Sequence, residues 1–279
     1  MINKSKIIAK ASQLKLLPTT VEKDYCLGWM LMAIAEHPAM KHWVFKGGTC
    51  LKKCYFENYR FSEDLDFTVP ANRLYDEKDI YQALLDITGA IYDKIGLYFP
   101  QTGISVQESK NKRDRKTFLI KIAYNGPLNL PKSNLQRIKI DLTQDEVVVD
   151  DPEERSILHE YDEEFVSKKI NCYSLNEILA EKTRALHERS GLPRDVYDVI
   201  NICKKFRDSL DGKKAKNILF EKFQFKSIGT PSINKILDNI NFENLAANWS
   251  ASLRHQLPTA INIENIRDEL RESLIWWIE

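Results

Sequence analysis

The chain has 279 residues, of which 43% are hydrophobic and 29% are charged, and its formal net charge is +1. This composition is typical of a folded globular protein and excludes a chain dominated by disorder, while the length fits one large domain or two closely associated ones. Because the net charge is close to zero, composition alone points to no nucleic-acid or membrane partner.

The apolar runs and the cysteines argue against a membrane-spanning protein and against one held together by disulfides or zinc. The longest apolar run, residues 25–35, is roughly half the length of a membrane span, so we expect a buried helix and no membrane association. Residues 1–10 carry no cleavage signal of a secreted protein. The cysteines lack paired spacing, so we expect no disulfide framework or zinc site, and we interpret Cys50 and Cys54 as helix packing. These features predict a cytoplasmic protein.

The first half of the chain predicts alternating helices and strands. A helix begins at Thr19 or Thr20 and ends before Pro38. A strand, a glycine turn, a helix, a strand, a helix, a hairpin of two strands and a last strand follow, at residues 42–46, 47–48, 49–56, 64–69, 79–95, 104–108, 117–124 and 137–143.

Three aspartates in two of these strands can form one site. Residues alternate between the two faces of a strand, so Asp64 and Asp66 share a face while Leu65 and Phe67 point to the other. The last strand alternates in the same way and contributes Asp141 opposite its apolar face. Magnesium is a hard ion that prefers carboxylate and phosphate oxygens. We therefore expect these carboxylates to hold Mg²⁺.

The glycine turn precedes a predicted helix, which is a suitable place for phosphate. Backbone N–H groups at a helix start are unpaired and face outward, so Gly47, Gly48 and Thr49 can hold a triphosphate tail, with Lys46 beside them.

The second half of the chain predicts helices. Residues 150–164 are acidic and interrupted by proline, so we interpret them as a connector and place a domain boundary near residue 165. Ser174 and Glu177 match a capping box that opens a helix to about residue 189, and a further helix begins near Pro193. On the first of these helices Lys182 lies on the apolar stripe.

Several motifs together resemble one known family. Gly47-Gly48-Thr49 followed by Arg60-Phe61-Ser62-Glu63-Asp64-Leu65-Asp66-Phe67 resembles the AbiEii/AbiGii toxin family of the nucleotidyltransferase superfamily. Glu22-Lys23-Asp24-Tyr25, Glu181-Lys182 and Arg194-Asp195-Val196-Tyr197-Asp198 match further family motifs in the expected order. One departure is that Gly48 stands where the wider superfamily often has a serine.

The resemblance implies an α+β fold with a mixed-sheet nucleotidyltransferase core over residues 1–165, flanked by helices, and an all-helical domain over residues 166–279 that completes the cleft. It also implies a bacterial toxin of a toxin–antitoxin or phage-defence system, with a cognate antitoxin as partner. Relatives of the MenT type transfer nucleotides from a triphosphate to the 3′ end of tRNA. We expect the same reaction here, with magnesium as cofactor and an NTP as donor.

The residues are assigned to this reaction by role. Metal binding falls to Asp64, Asp66 and Asp141, and Asp141 also helps to deprotonate the acceptor. Nucleotide binding falls to Lys46, Gly47, Gly48, Thr49 and Lys182, with Asp195 and Asp198 orienting Lys182 or contacting the nucleotide. Glu22, Lys23 and Asp24 are interpreted as structural, in a salt bridge between domains.

Alternatives remain open at this point. The chain can be a catalytically silent module that binds nucleotide or RNA, or a metal-dependent phosphohydrolase, since clustered aspartates also suit that chemistry. Two basic stretches, residues 110–121 and 204–226, are either solvated surfaces or contacts to an RNA backbone.

Overall fold

The computed structural model describes residues 1–70, 73, 76–110, 113–161, 168–257 and 265–279. The chain divides into two compact units. Unit 1 comprises Met1–Asp145, Glu153–Cys172 and Gln256–Pro258, and unit 2 comprises Glu146–Pro152, Tyr173–His255 and Thr259–Glu279. Unit 1 mixes helices with a sheet, whereas unit 2 is helical, which confirms the predicted α+β class. The boundary predicted near residue 165 lies outside the described residues.

Unit 1 is built around one mixed sheet. Its described helices are α1 Lys4–Leu14, α2 Pro18–Glu36, α3 Gly47–Cys50, which continues as a π-helical turn Leu51–Tyr55, and α4 Glu77–Ile95. Its described strands are β1 Val44–Lys46, β2 Asp64–Thr68, β3 Ile104–Lys110, β4 Lys116–Tyr124, β5 Gln136–Thr143, β6 Glu153–Ser156 and β7 Lys169–Cys172.

The strand order of this sheet is β3-β4-β5-β2-β1-β7-β6. Strand β2 pairs in parallel with β5 and antiparallel with β1, so both predicted carboxylate strands are neighbours. Alternation follows the prediction in β5, where Ile138, Ile140 and Leu142 are buried and the residues between them are exposed. In β2, Asp64 and Asp66 stay half-buried, but Thr68 is buried at the strand end.

The interpretation of residues 150–164 as a plain connector was wrong. The segment contains β6, which pairs antiparallel with β7, and neither strand was predicted. Both have only four residues, and β6 has the polar sequence Glu-Glu-Arg-Ser with no apolar alternation. Its strand state comes from pairing with β7 at the edge of the sheet, which local sequence does not encode.

Helix α2 occupies the predicted position but begins differently. Leu17 is the N-cap and Pro18 is the first helical residue, so neither Thr19 nor Thr20 caps the helix. A proline at this position loses nothing, because the first N–H group of a helix has no intrahelical partner. The helix is buried along almost its whole length. Across the described residues, no helix combines the length and apolar character needed to span a membrane.

Unit 2 is a set of helices. Those described are α5 Leu175–Glu188, α6 Pro193–Phe206, α7 Gly212–Lys226, α8 Ile233–Asp238, α9 Phe242–Leu253 and α10 Ile266–Ile278. Ser174 caps α5 as predicted, since the Glu177 N–H donates to Ser174 Oγ at 3.1 Å, but the Glu177 carboxylate accepts from the Val149 and Asp150 N–H groups and does not complete a capping box. The Glu177 carboxylate also pairs with Lys222, and both side chains are fully buried. This ion pair joins α5 to α7.

Candidate active site

The glycine turn of unit 1 approaches the first carboxylate strand directly. Gly47 has a φ of +79°, which L side chains rarely adopt, and a Cβ atom there would overlap Asp66 Oδ2. Both backbone conformation and space therefore require glycine at this position. The turn passes into the nine helical residues of α3 and the π-helical turn, whose first N–H groups lack intrahelical acceptors.

Three charged residues form one row across three adjacent strands. Lys46 faces Asp66 in the antiparallel pair of β1 and β2, and Asp66 faces Asp141 in the parallel pair of β2 and β5. Neighbouring strands lie about 4.8 Å apart, so residues in register on one face are neighbours. The sheet thus brings together Lys46, Asp66 and Asp141, three of the residues predicted for the site.

A second row runs beside the first. Asp64 faces Lys139 on β5, and Lys139 faces Lys121 on β4. Lys139 Nζ lies 4.0 Å from Asp64 Oδ1. Neither lysine was among the predicted site residues, although the alternation of β5 places Lys139 on the same face as Asp141. The carboxylates are consequently bordered by positive charge.

The environment of Asp141 favours its protonated form more than usual. The loss of hydration on the sheet surface raises the pKa of the Asp141 carboxyl, and the nearby charge of Asp64 raises it further. Lys139 and Lys46 act in the opposite direction, but they do not cancel the shift. A carboxylate with a raised pKa is a stronger base than an ordinary aspartate.

The donor set of this face fits a hard divalent cation. All three acidic side chains offer carboxylate oxygens, the ligands that magnesium prefers. Asp64 Oδ1 is buried, yet it accepts no hydrogen bond from any residue that the structure describes, and Lys139 Nζ at 4.0 Å is too distant to donate one. A buried carboxylate oxygen without a donor is costly unless a cation satisfies it. The residues present therefore suit a divalent metal.

The Thr49 hydroxyl has a structural role. Its side chain is fully buried, and its hydroxyl donates to the Asp64 carbonyl oxygen at 2.5 Å. The hydroxyl thus fixes the start of β2 relative to the glycine turn. We retain its backbone N–H group, rather than its hydroxyl, as a candidate phosphate donor.

Arg60 was part of the recognised motif but received no role from the sequence. Its side chain is buried, and its guanidinium group donates to Gln256 Oε1 at 2.9 Å. A Cβ atom at Gly48 would overlap this guanidinium, so the positive charge lies directly against the glycine turn. The only sequence signal for it is a basic residue in the run that leads to Asp64.

The Glu22-Lys23-Asp24 motif lies inside unit 1, and the predicted salt bridge between domains was wrong. Asp24 is buried and pairs with Lys53 at 2.8 Å, and the Tyr161 hydroxyl donates to it at 2.8 Å. Burial alone would raise the pKa of Asp24, but the charges of Lys52 and Lys53 and these hydrogen bonds hold it well below its usual value. Lys52 and Lys53 follow the glycine turn, so this motif anchors that helix.

The predicted lysine of α5 is held by two carboxylates within unit 2. Lys182 Nζ lies 2.7 Å from Asp195 Oδ1 and 2.9 Å from Asp198 Oδ2. Both aspartates are buried on α6, where they share a face as their spacing predicted. The three residues form one ionic cluster, and the apolar position of Lys182 is explained by these partners.

Several basic residues of the two stretches are engaged in ion pairs. In the first stretch Lys110 pairs with Asp114, Arg113 with Asp145 and Lys116 with Glu108; residues 111 and 112 lie outside the described part. In the second, ion pairs hold Lys204, Lys214, Lys222 and Lys226. Such pairing reduces the positive charge that either stretch offers to a phosphate backbone.

Comparison with known proteins identifies a family and a similar solved structure. A family model described as nucleotidyl transferase AbiEii toxin, type IV toxin–antitoxin system, matches residues 29–272. Among solved structures, MenT4, a nucleotidyltransferase toxin from Mycobacterium tuberculosis H37Rv, is similar with a TM-score of 0.60 and 17% sequence identity, and the match covers 100% of both chains. No curated protein matches the chain. At this level of identity, the structural likeness supports the fold.

Proposed function

This chain belongs to the AbiEii family of nucleotidyl transferase toxins of type IV toxin–antitoxin systems, and from that premise we propose that it transfers a nucleoside monophosphate from an NTP to the 3′ end of tRNA. The family predicted from the sequence motifs is confirmed by the match. Nucleotidyl transfer and an antitoxin partner follow from that membership, and divalent metal is general for such enzymes. Magnesium and the RNA acceptor belong to our proposal.

The observation that carries the proposal is the row of Lys46, Asp66 and Asp141 beside the glycine turn. In the proposed site Asp64, Asp66 and Asp141 hold magnesium, which would neutralise charge on the triphosphate. The backbone N–H groups of the turn bind the phosphate tail, and Lys46 supplies positive charge next to the carboxylates.

The proposed reaction breaks a phosphoanhydride bond of the NTP and forms a phosphate ester bond to the acceptor. The acceptor hydroxyl oxygen bonds to the α-phosphorus, and the bond from that phosphorus to the bridging oxygen of the β-phosphate breaks. Pyrophosphate leaves with the bonding electron pair, while the hydroxyl proton passes to the Asp141 carboxylate. Asp141 lies next to Asp66 on the carboxylate face, where its carboxylate can accept this proton.

We assign Lys182 to the same reaction as a phosphate-binding residue. Asp195 and Asp198 orient its ammonium group, since each accepts from it at less than 3 Å. A lysine ammonium held in place by two carboxylates has a fixed position, from which its positive charge can attract a phosphate oxygen.

Two lysines support an RNA acceptor. Lys121 and Lys139 stand side by side on the face that carries Asp64, where they suit a phosphate backbone. Triphosphates and tRNA are both found in the cytoplasm, so we place the reaction there. Loss of functional tRNA would stop growth, which is the effect expected of a toxin in phage defence.

The test is incubation of the purified chain with each of the four α-labelled triphosphates, magnesium and total cellular RNA. We expect label to enter RNA of tRNA size, and mass spectrometry of its digest to find the added nucleotide at the 3′ end. Binding of triphosphate without transfer would instead favour the silent binding module. Release of phosphate or nucleotide without labelled RNA would favour a phosphohydrolase.

A further inference from the structure

Three cysteine side chains meet in unit 1, away from the carboxylate face. Cys50, Cys54 and Cys172 are all buried, and their Sγ atoms lie within 4.8 Å of one another. The sequence predicted no metal-binding spacing, because Cys172 is distant from the other two along the chain. Strand β7, which was not predicted either, brings it into place next to β1. We call these three residues the thiol cluster.

From this geometry we propose that the thiol cluster binds a thiophilic divalent cation of the zinc class. A tetrahedral zinc site has Zn–S bonds of about 2.3 Å, which separates its sulfur atoms by about 3.8 Å. The cluster needs to contract by at most about 1 Å to reach this spacing, which side-chain rotation can supply. Sulfur ligands favour zinc over the hard ions that suit the carboxylate face.

A tyrosine hydroxyl, which donates to Glu153 at 3.2 Å, and an arginine lie beside the thiol cluster. The Tyr55 hydroxyl lies 3.8 Å from Cys172 Sγ, which is close to the edge of such a tetrahedron. The Arg155 guanidinium donates to the Cys54 carbonyl oxygen at 2.9 Å and stacks on the Tyr55 ring. Three thiolates and one divalent cation carry a net charge of −1. Arg155 brings positive charge close to the thiol cluster, although its guanidinium also pairs with Glu153 at 3.2 Å.

The thiol cluster includes an unusual backbone conformation, a π-helical turn. Cys54 lies in the π-helical turn Leu51–Tyr55, a conformation that is rare and often marks functional sites. Cys50 lies immediately after Gly47-Gly48-Thr49, and Cys172 faces Phe45 across the sheet. A bound metal would therefore connect β7 with the helix that starts at the glycine turn.

Metal binding at this site has a defined chemical balance. Each S–H bond that is lost becomes an S–metal bond, so binding releases up to three protons and no electrons are transferred. The consequence for the protein is structural, because a metal that binds the folded chain stabilises it. The proposal does not depend on the proposed nucleotidyl transfer.

The experiment measures metal on the full chain, kept reduced with a phosphine. We expect about one zinc per chain after purification without chelator, and Co²⁺ added to the metal-free chain should give the intense absorption of sulfur-to-cobalt charge transfer. Cys172→Ser should lose this absorption. Cys203→Ser, which removes a buried cysteine of unit 2 outside the cluster, should keep it.

If Cys172→Ser fails to fold, the proposal can still be tested on the wild type by comparing its unfolding temperature with and without zinc. Zinc at about 100 times its dissociation constant should raise the unfolding temperature of the metal-free wild type by roughly 5–10 °C. The proposal is overturned if wild type shows neither the cobalt absorption nor this shift, or if Cys172→Ser binds cobalt like wild type. Because none of these readouts involves transfer activity, failure here is distinct from failure of the proposed function.

Discussion

Asp66 and Asp141 face each other on two parallel strands, although helix α4 and the β3–β4 hairpin separate them along the chain. Two carboxylates at adjacent strand positions repel each other unless positive charge compensates them. Lys46, which faces Asp66 on the other side, and Lys139, which lies beside Asp64, supply part of that charge. A divalent cation would compensate the negative charge that remains, so the arrangement of these strands favours metal binding.

Replacing Asp66 by asparagine tests this relationship. The substitution keeps the size of the side chain but removes one of three carboxylates, so we expect label transfer to fall by at least about 100-fold. The measurement is the initial rate of label incorporation into RNA. Folding should be preserved, because Asp66 is half-buried and the change relieves its repulsion with Asp141.

The matched control is Asp93→Asn, an exposed aspartate on α4. It makes the same chemical change away from the carboxylate face and should transfer at the wild-type rate. A wild-type rate in Asp66→Asn itself would remove this residue from the proposed metal site.

Gly47→Ala tests the glycine turn against a control with the same backbone conformation. Gly47 and Gly96 both have positive φ, but a Cβ at Gly96 meets nothing within 4 Å, whereas one at Gly47 meets Asp66. Both substitutions should lower the free energy of unfolding by about 1–2 kcal/mol because of the left-handed backbone. Only Gly47→Ala should also abolish transfer and weaken triphosphate binding measured by calorimetry. Equal transfer activity in the two variants would show that the glycine turn is not part of the active site.

Lys182→Met distinguishes a phosphate ligand from a structural cation. The substitution leaves the buried Asp195 and Asp198 without their shared lysine, so we expect a loss of about 3–5 kcal/mol in the free energy of unfolding and a loss of transfer. Adding Asp198→Asn removes one of the two negative charges and should restore part of the stability. If transfer returns together with stability, Lys182 acts only in folding.

The sequence predicted the acidic residues of the site better than their neighbours. Period-two alternation identified Asp64, Asp66 and Asp141, because the apolar residues of a half-buried strand show which residues lie on its opposite face. Alternation also places Lys139 on the face of Asp141, but the position of Lys139 between Asp64 and Lys121 depends on the register of β5 with β2 and β4, which local pattern does not give.

The thiol cluster and Arg60 were missed for a related reason. Cys172 reaches Cys50 and Cys54 through β7, a four-residue strand whose conformation depends on its partners in the sheet. Arg60 lies in a run without regular structure, so no periodicity indicated that its guanidinium lies against Gly48. Contacts that join distant segments are set by tertiary packing. For the same reason the sequence did not show that the partners of Asp24 lie in unit 1.

The Asp24→Asn substitution tests how the free energy of unfolding depends on pH. Removing this charge leaves Lys53 buried beside a neutral side chain, so the variant should lose about 3–5 kcal/mol in the free energy of unfolding at neutral pH. Because the folded-state pKa of Asp24 lies below the usual value of 3.8, its contribution is fully present above that value and is lost as the pH falls through the folded-state pKa.

Urea unfolding of both proteins at a series of pH values measures this dependence. The difference between wild type and Asp24→Asn should stay constant from about pH 7 to pH 5 and narrow below about pH 4, where the unfolded chain takes up the proton. Asp93→Asn again serves as control and should differ from wild type by less than about 0.5 kcal/mol. A difference that widens toward acid would mean that Asp24 is protonated in the folded chain, and its pairing with Lys53 would then not anchor the helix of the glycine turn.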